Sequence, residues 1–320
     1  MRLAFLLCLL ATAAVAQLAA TPRLTVRQFH FTGHTAFTTT ELAAVVAPFT
    51  GREITRTELE EARRAITLHY VHAGYVNSGA VIPDQPVIDT ITIRIIEGTL
   101  TDLTISSNRW LRTGYLRDRI RPGTPLNVHR LRDQLHILRA NPNVVQLNAE
   151  LQPGTQPGES RLDLRLRDRH PFRLGLQLDN ERSPSVGAYQ LLARLADLNL
   201  TGHSDPLELT YGILSGGREG WDADPADNLE ASYQFPVTAR DTTVRLFGER
   251  HNYAIIEEPF DTLDITSESY RLGGELRHPL YRTSQRELAL SVSFERSHSE
   301  TELLGVPFPV TPGSINGEIN

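Results

Sequence analysis

The sequence predicts two small α+β domains in tandem, spanning 24–98 and 99–168, followed by the N-terminal part of an antiparallel transmembrane β-barrel over 170–320. Three observations predict it. Helical periodicity recurs as far as Arg139 and not beyond. From about His170 the chain alternates apolar and polar residues in one short segment after another. The residues opposite the leucines of those segments are charged, as a water-filled lumen requires.

The N-terminus reads as an export signal over 1–16. Arg2 gives a positive start, Leu3 to Leu10 an apolar run, and Ala14-Val15-Ala16 a cleavage pattern. That run is shorter than the ~20 residues a membrane-spanning helix needs. Cys8 is the one cysteine and leaves with the signal, which excludes disulfides, Cys-zinc sites and Cys nucleophiles from the mature chain. With 40% hydrophobic and 22% charged residues the 320-residue chain can build cores. A net charge of −6 gives no electrostatic footprint for nucleic acid.

In the first domain, Leu24 to Thr32 alternates as one strand, with Val26 and Phe29 to Phe31 marking its buried side, and Gly33 follows. Thr40 to Val46 forms a short helix, broken between Pro48 and Gly51. Thr55 and Glu58 stand as a capping box before a longer helix. Leu59, Ala62, Ile66, Tyr70 and Val71 recur at helical spacing, and Gly74 ends that helix. Two strands follow, about Val76–Ile82 and Ile88–Ile96, turned by Pro83-Asp84-Gln85-Pro86 and closed by Glu97-Gly98. Taken singly, these residues are architectural: a cap, a core ring, a turn.

Together, Tyr70-x-x-x-Gly74-Tyr75, Pro83-x-Gln85 and Glu97-Gly98 resemble the POTRA domain of two-partner-secretion transporters. These form the haemolysin secretion/activation family of bacterial outer membranes. The resemblance implies a Gram-negative outer-membrane location, with tandem POTRA domains in the periplasm. It also implies an unfolded exported partner, of adhesin, haemolysin or toxin type, that threads through the barrel without nucleotide. No enzyme activity and no cofactor are implied, and the barrel's outer face would meet outer-membrane lipid.

The second domain repeats the plan without residue identity. Leu100–Ser106 is a strand, Tyr115–Ile120 and Val128–Arg139 are helices, and Val144–Leu151 and Ser160–Arg167 are the closing hairpin. A partner could add a strand to an exposed sheet edge in either domain. The candidate edges are Val76 to Ile82 in the first, and Val144, Leu147 and Leu151 in the second.

About seven alternating strands follow, with Arg173, Asp179, Glu208, Glu230, Arg271, Glu275 and Arg277 as candidate lumen residues. Connections at 199–206, 236–241 and 279–285 are short, and those at 215–227 and 252–266 are long, as in barrels with short periplasmic turns. A soluble β-sandwich alternates in the same way; charge on the polar face and aromatics among the apolar residues favour the barrel. The family resemblance implies about sixteen strands, within the range of such barrels. It also implies an Arg-Gly-Tyr/Phe loop motif and, in many members, a plug helix; neither is found here. The expectation is therefore an incomplete copy of a transporter. A barrel-assembly factor of the wider POTRA–barrel superfamily and a soluble periplasmic scaffold are the alternatives.

No Gly-x-Ser-x-Gly, Gly-x-Gly-x-x-Gly, P-loop or His-Glu-x-x-His motif occurs. His69 and His72 share a helix face without a third ligand at fixed spacing. Glu257, Glu258, Asp261 and Asp264 read as a solvated outer loop.

Overall fold

The computed structural model describes residues 23–308 and 316–319, apart from 87, 88, 218, 219 and 284. The expected signal over 1–16, and Ile88 at the start of the expected second hairpin strand, lie outside the described residues. Two compact units divide the chain: Met1–Asp102 with Pro122–Arg130 and Leu151–Leu162, and Leu103–Arg121 with Leu131–Glu150 and Asp163–Asn320.

The opening strand is two strands. β1 (Arg23–Val26) pairs antiparallel with β3 (Arg52–Thr55), and β2 (Gln28–Thr32) pairs parallel with β5 (Thr90–Ile96). Side chains alternate with period two, so one continuous strand would put Val26 on the face opposite Phe29 and Phe31. All three are buried. A break at Arg27 resolves the conflict, and the Arg27 and Gln28 N–H groups both donate to the Asp89 carbonyl there, at 2.7 and 3.2 Å. β3, four residues long, was not expected; it is too short to show a period.

α1 (Thr39–Val46) and α2 (Arg56–His72) each begin with a complete capping box, Thr38/Glu41 and Thr55/Glu58. The α2 residues Leu59, Ala62, Ile66 and Tyr70 are buried with Leu42, Val46, Ile54, Ile91, Ile93 and Ile95 in one core. Truncating a fully buried Ile such as Ile66 to Ala would cost about 2–5 kcal/mol. β4 is Gly79–Val81, an edge strand in the order β2-β5-β4. The expected strand Val76–Ile82 is thus cut to three residues, with Val76 and Ile82 outside it. The cause is the helix exit: Tyr75 N–H donates to the Tyr70 carbonyl and Ser78 N–H to that of Tyr75, which curls 75–78 into a turn.

The second domain supplies β6 (Thr99–Ser106), α3 (Thr113–Asp118), α4 (Val128–Arg139), β7 (Val144–Pro153) and β8 (Glu159–Asp168). Its sheet order is β6-β8-β7, which makes β7 an edge. Leu162, Leu164 and Leu166 on β8 are buried. Asn127 joins this domain to the first. Its Oδ1 accepts from the His129 and Arg130 N–H groups, capping α4, while its Nδ2 donates to the Ala73 carbonyl at 3.0 Å. Val128 N–H donates to the Gly74 carbonyl at 2.9 Å. The orphan carbonyls at the end of α2 and the orphan N–H groups at the start of α4 thereby satisfy one another, with opposite dipole ends in contact.

The remaining strands build one antiparallel sheet: β9 (Phe172–Asp179), β10 (Gln190–Asp197), β11 (Leu207–Gly217), β12 (Gly220–Pro236), β13 (Thr243–Ala254), β14 (Ile265–Arg282) and β15 (Glu287–Leu303). Short β16 (Val306–Pro307) and β17 (Asn316–Ile319) both pair with β15. The seven longer strands correspond to the expected seven. The expected long connection 215–227 is instead the continuation of the β11–β12 hairpin, whose strands run to Gly217 and resume at Gly220. Its acidic, Gly-rich sequence hid the pairing.

Because Asn127 caps one helix and ties the end of another, Asn127→Ala should destabilise the chain by about 1–2 kcal/mol. Urea denaturation followed by circular dichroism checks this; Asn127→Asp, which keeps the cap, should recover part of the loss.

Candidate functional site

The motif residues of the first domain converge on one carboxylate. Glu97 Oε1 accepts from the buried Tyr70 hydroxyl at 2.8 Å and from the Thr35 and Ala36 N–H groups at 2.7 and 2.8 Å. Its Oε2 accepts from the Thr35 hydroxyl. Burial disfavours the ionised form of Glu97, but these hydrogen bonds outweigh it and hold the carboxyl below the usual glutamate value. Burial, reinforced by Glu97, pushes the Tyr70 phenol up. Tyr75 packs with Phe37 and Tyr70, ring centroids 5.8 Å from each. Gly33 adopts φ +77°, and a Cβ there would meet the Ile95 carbonyl oxygen at 2.4 Å. Gly98 admits the Asn77 side chain, which bonds the Gly158 carbonyl and the Ser160 hydroxyl. Gly74, at φ +94°, lies against the Asn127 and His129 side chains.

Pro83 lies in the connection after β4, and Gln85 completes the hairpin. Its amide accepts from the Thr92 N–H and donates to the Thr92 carbonyl, both at 2.8 Å. A side chain thus substitutes for the strand residue that β4 is too short to provide. Of the expected edge residues, Val76 is an exposed turn residue and Ile82 follows β4, whereas Val144, Leu147 and Leu151 lie on β7.

On the large sheet, cross-strand partners share a face. The register pairs Arg173 with Ala196, Asp179 with Gln190, Glu208 with Ser232, and Glu230 with Thr210 and Glu249. It further pairs Arg271 with Glu249 and Ser297, Glu275 with Arg245 and Ser293, and Arg277 with Thr243 and Ser291. All seven candidate lumen residues therefore share one face. Arg271 bonds Glu249 at 2.5 Å, which offsets the repulsion between Glu249 and Glu230 across the strands. The opposite face carries Leu174, Leu176, Leu209, Leu272, Val292 and Phe294. Leu176 is 73% exposed and Phe294 68%, which in water would be an untenable apolar expanse. No helix among the described residues is long and apolar enough to cross a membrane.

The turn between β10 and β11 is stitched to the second domain, an arrangement no sequence signal announced. Asn143 Nδ2 donates to the Leu198 carbonyl and the Ser204 hydroxyl, Asn199 Nδ2 to the Trp110 carbonyl, and Arg112 N–H to the Gly202 carbonyl. Asp205, fully buried in that turn, accepts from the Tyr233 hydroxyl and the Thr201 and His203 N–H groups. Burial raises its pKa, but those bonds prevail and keep it below the ordinary aspartate value. Beside it, a cleft of about 390 Å³ is crossed by a run of charges. Arg119, stacked 3.7 Å over the Tyr115 ring, meets Asp241 at 2.5 Å; Asp241 meets Arg282 at 2.7 Å; Glu287 bridges Arg282 and Arg277. Partners this far apart in sequence leave no spacing to read. Asn127, by contrast, precedes an amphipathic helix and carried a legible N-cap signal.

Glu97 is ionised in the fold at pH values where an unfolded glutamate is already protonated. Its contribution is complete above the ordinary glutamate value and declines as pH falls from there through its lowered native value. Glu97→Gln should cost on the order of 2 kcal/mol at pH 7 and flatten that acid-side decline, as urea midpoints between pH 7 and pH 3 would report.

A profile of the ShlB-type POTRA domain matches residues 24–98, and one of the haemolysin secretion/activation protein ShlB/FhaC/HecB matches residues 158–312. The heme/hemopexin transporter protein HuxB of Haemophilus influenzae (strain 86-028NP) is 26% identical over 270 residues, 82% of this chain and 46% of that protein. The outer membrane transporter CdiB of Dickeya dadantii is 27% identical over 218 residues, 67% of this chain and 38% of that one. The solved structure of CdiB from Escherichia coli superposes with a TM-score of 0.64 at 22% identity, over 90% of this chain and 53% of that chain. BamA from Haemophilus ducreyi gives 0.50 at 13%, over 93% and 57%. The chain spans about half the length of the curated relatives it matches, or less. It carries a ShlB-type POTRA domain over 24–98 and, over 158–312, a region that matches the haemolysin secretion/activation protein family ShlB/FhaC/HecB and folds mainly as a large antiparallel sheet.

Proposed function

We propose that this chain acts in two-partner secretion. Its POTRA domains receive an unfolded exported protein in the periplasm, and its large sheet forms part of the outer-membrane barrel through which that protein leaves. The observation that carries this reading is the two-faced sheet. Leucines, valine and phenylalanine on one side suit lipid, and a face of Arg and Glu with compensating pairs suits a hydrated path. Mixed charge lets a polypeptide pass without a strong well for either sign, and Arg173, Asp179, Glu208, Glu230, Arg271, Glu275 and Arg277 would line that path.

Reception of the partner is assigned to a sheet edge, where main-chain hydrogen bonds give affinity and alternate side chains give selectivity. β7 fits this role. It is an edge of ten residues, and Val145, Leu147, Ala149 and Leu151 alternate with Gln146, Asn148, Glu150 and Gln152. The partner it suits is an extended segment with its own apolar alternation. The driving force is folding of the partner outside the cell, since the reading needs no nucleotide. A barrel-assembly role has the general fold in its favour; sequence relatives named as transporters favour secretion.

Deleting the gene from its host should remove at least nine-tenths of one large polypeptide from the culture medium, and plasmid-borne restoration of the gene should return it. An unchanged set of secreted proteins in the deletion strain would contradict the reading.

A further inference from the structure

The two POTRA domains are not equivalent as strand acceptors. In the first, the central residue of the edge strand β4 already has both outward backbone groups occupied by α2. Ala80 N–H donates to the Thr67 hydroxyl at 3.1 Å, and the Ala80 carbonyl accepts from Arg63 Nη1 at 3.1 Å. Opposed residues in an antiparallel pair alternate between bonding each other and pointing outward; Ala80, opposite Ile95, gives both groups to α2 and so is an outward-pointing residue of the edge. Both α2 side chains are fixed in turn. The Thr67 hydroxyl donates to the Arg63 carbonyl at 3.2 Å, leaving a lone pair for Ala80, and Arg63 Nε bonds Glu60 at 2.7 Å. Glu60, Arg63 and Thr67 follow one another at helical spacings of three and four, which places them along one stripe of α2. Beyond the end of β4, the Gln85 amide takes both backbone groups of Thr92.

An incoming strand would have to displace each of these bonds without gaining any that is not already made. Proteins commonly protect edge strands by covering them. On β7, among the described residues, no side chain takes an N–H or carbonyl between Val145 and Gln152.

We infer that Arg63 and Thr67 seal the first domain against strand addition and so direct an extended partner to β7 of the second. This rests on the strand-addition reading above and adds which residues set the choice.

The test uses the full chain in detergent and a ten-residue Val/Thr alternating peptide, N-methylated at alternate positions so that it offers one hydrogen-bonding edge. Amide hydrogen exchange is followed by mass spectrometry with and without the peptide. In the unaltered chain the peptide should slow exchange in β7 at least tenfold and leave residues 79–81 unchanged. In Arg63→Ala/Thr67→Val it should slow both. Thr67→Val alone should give an intermediate effect at residues 79–81 should the double variant fail to fold, and Thr67→Ser, which keeps the hydroxyl, should behave as the unaltered chain. Peptide protection of residues 79–81 in the unaltered chain overturns the seal. So does protection that stays confined to β7 in both the double and the single variant. If β7 fails to respond in any folded chain, strand addition itself is wrong, which is a different result from failure of the seal.

Discussion

From Phe172 onward the chain depends on one constraint: an antiparallel ladder lets side chains take only two faces. A slip of one residue at any pair would exchange leucines for arginines and glutamates along a whole strand. In the periplasm-side half of β13 to β15 the register keeps them apart: Val244, Leu276 and Val292 align on one face and Arg245, Glu275 and Ser293 on the other, whereas Arg250 and Arg296 join the apolar face further along, opposite Tyr270 and Leu272. The same ladder satisfies backbone N–H and carbonyl groups strand to strand, the condition for any structure placed in hydrocarbon. Shape and chemistry are thus one problem here. Pairing that satisfies the backbone also separates an apolar surface from a charged one.

The periplasmic domains meet a different demand, which is to hold short elements together without large cores. Half-buried carboxylates and a buried amide do much of that work. Glu97 ties the loop before α1 to the end of α2, and Asn127 ties α2 to α4. Asp168 gathers the N–H groups of Arg109, Trp110 and Leu111 at 2.6 to 3.1 Å, a cluster of donors suited to an anion. Such sites are all-or-none: a buried carboxylate with every donor in place stabilises, and one that loses donors costs about 1–3 kcal/mol for each group left unmade. The POTRA motif is accordingly a record of architecture. Tyr70, Glu97, Gly33 and Gly98 fix the domain that presents the edges, through a buried phenol, a half-buried carboxylate and two close backbone approaches.

Much of this was legible in the residues. The capping box of Thr55 and Glu58 located α2, α4 was bounded at Val128 and Arg139, and period-two alternation found the seven longer strands and their two faces. What escaped followed from physical causes. β3 has too few residues to show periodicity, and the parity change between Val26 and Phe29 is visible only when the strand is required to bury both. Asp222, Asp224 and Asp227 disguised a hairpin as a loop, since composition reports solvation more readily than pairing. The bonds from Arg63 and Thr67 to Ala80, and the Arg119–Asp241–Arg282 run, join residues that only the fold brings together. Edge protection is therefore a property that sequence pattern alone does not disclose.

The separation of faces is open to direct measurement. With Cys8 replaced by Ser, the chain has no other thiol, so single cysteines can be placed at will. Leu176, Leu209, Leu272 and Val292 would report on one face, and Glu208, Glu230, Arg271 and Glu275 on the other. Each would be labelled with an environment-sensitive maleimide and reconstituted in bilayers of brominated lipid. The account predicts several-fold quenching at all four apolar positions and little at the four charged ones. Equal quenching on the two faces, or none on either, would contradict a sheet that sets lipid against water.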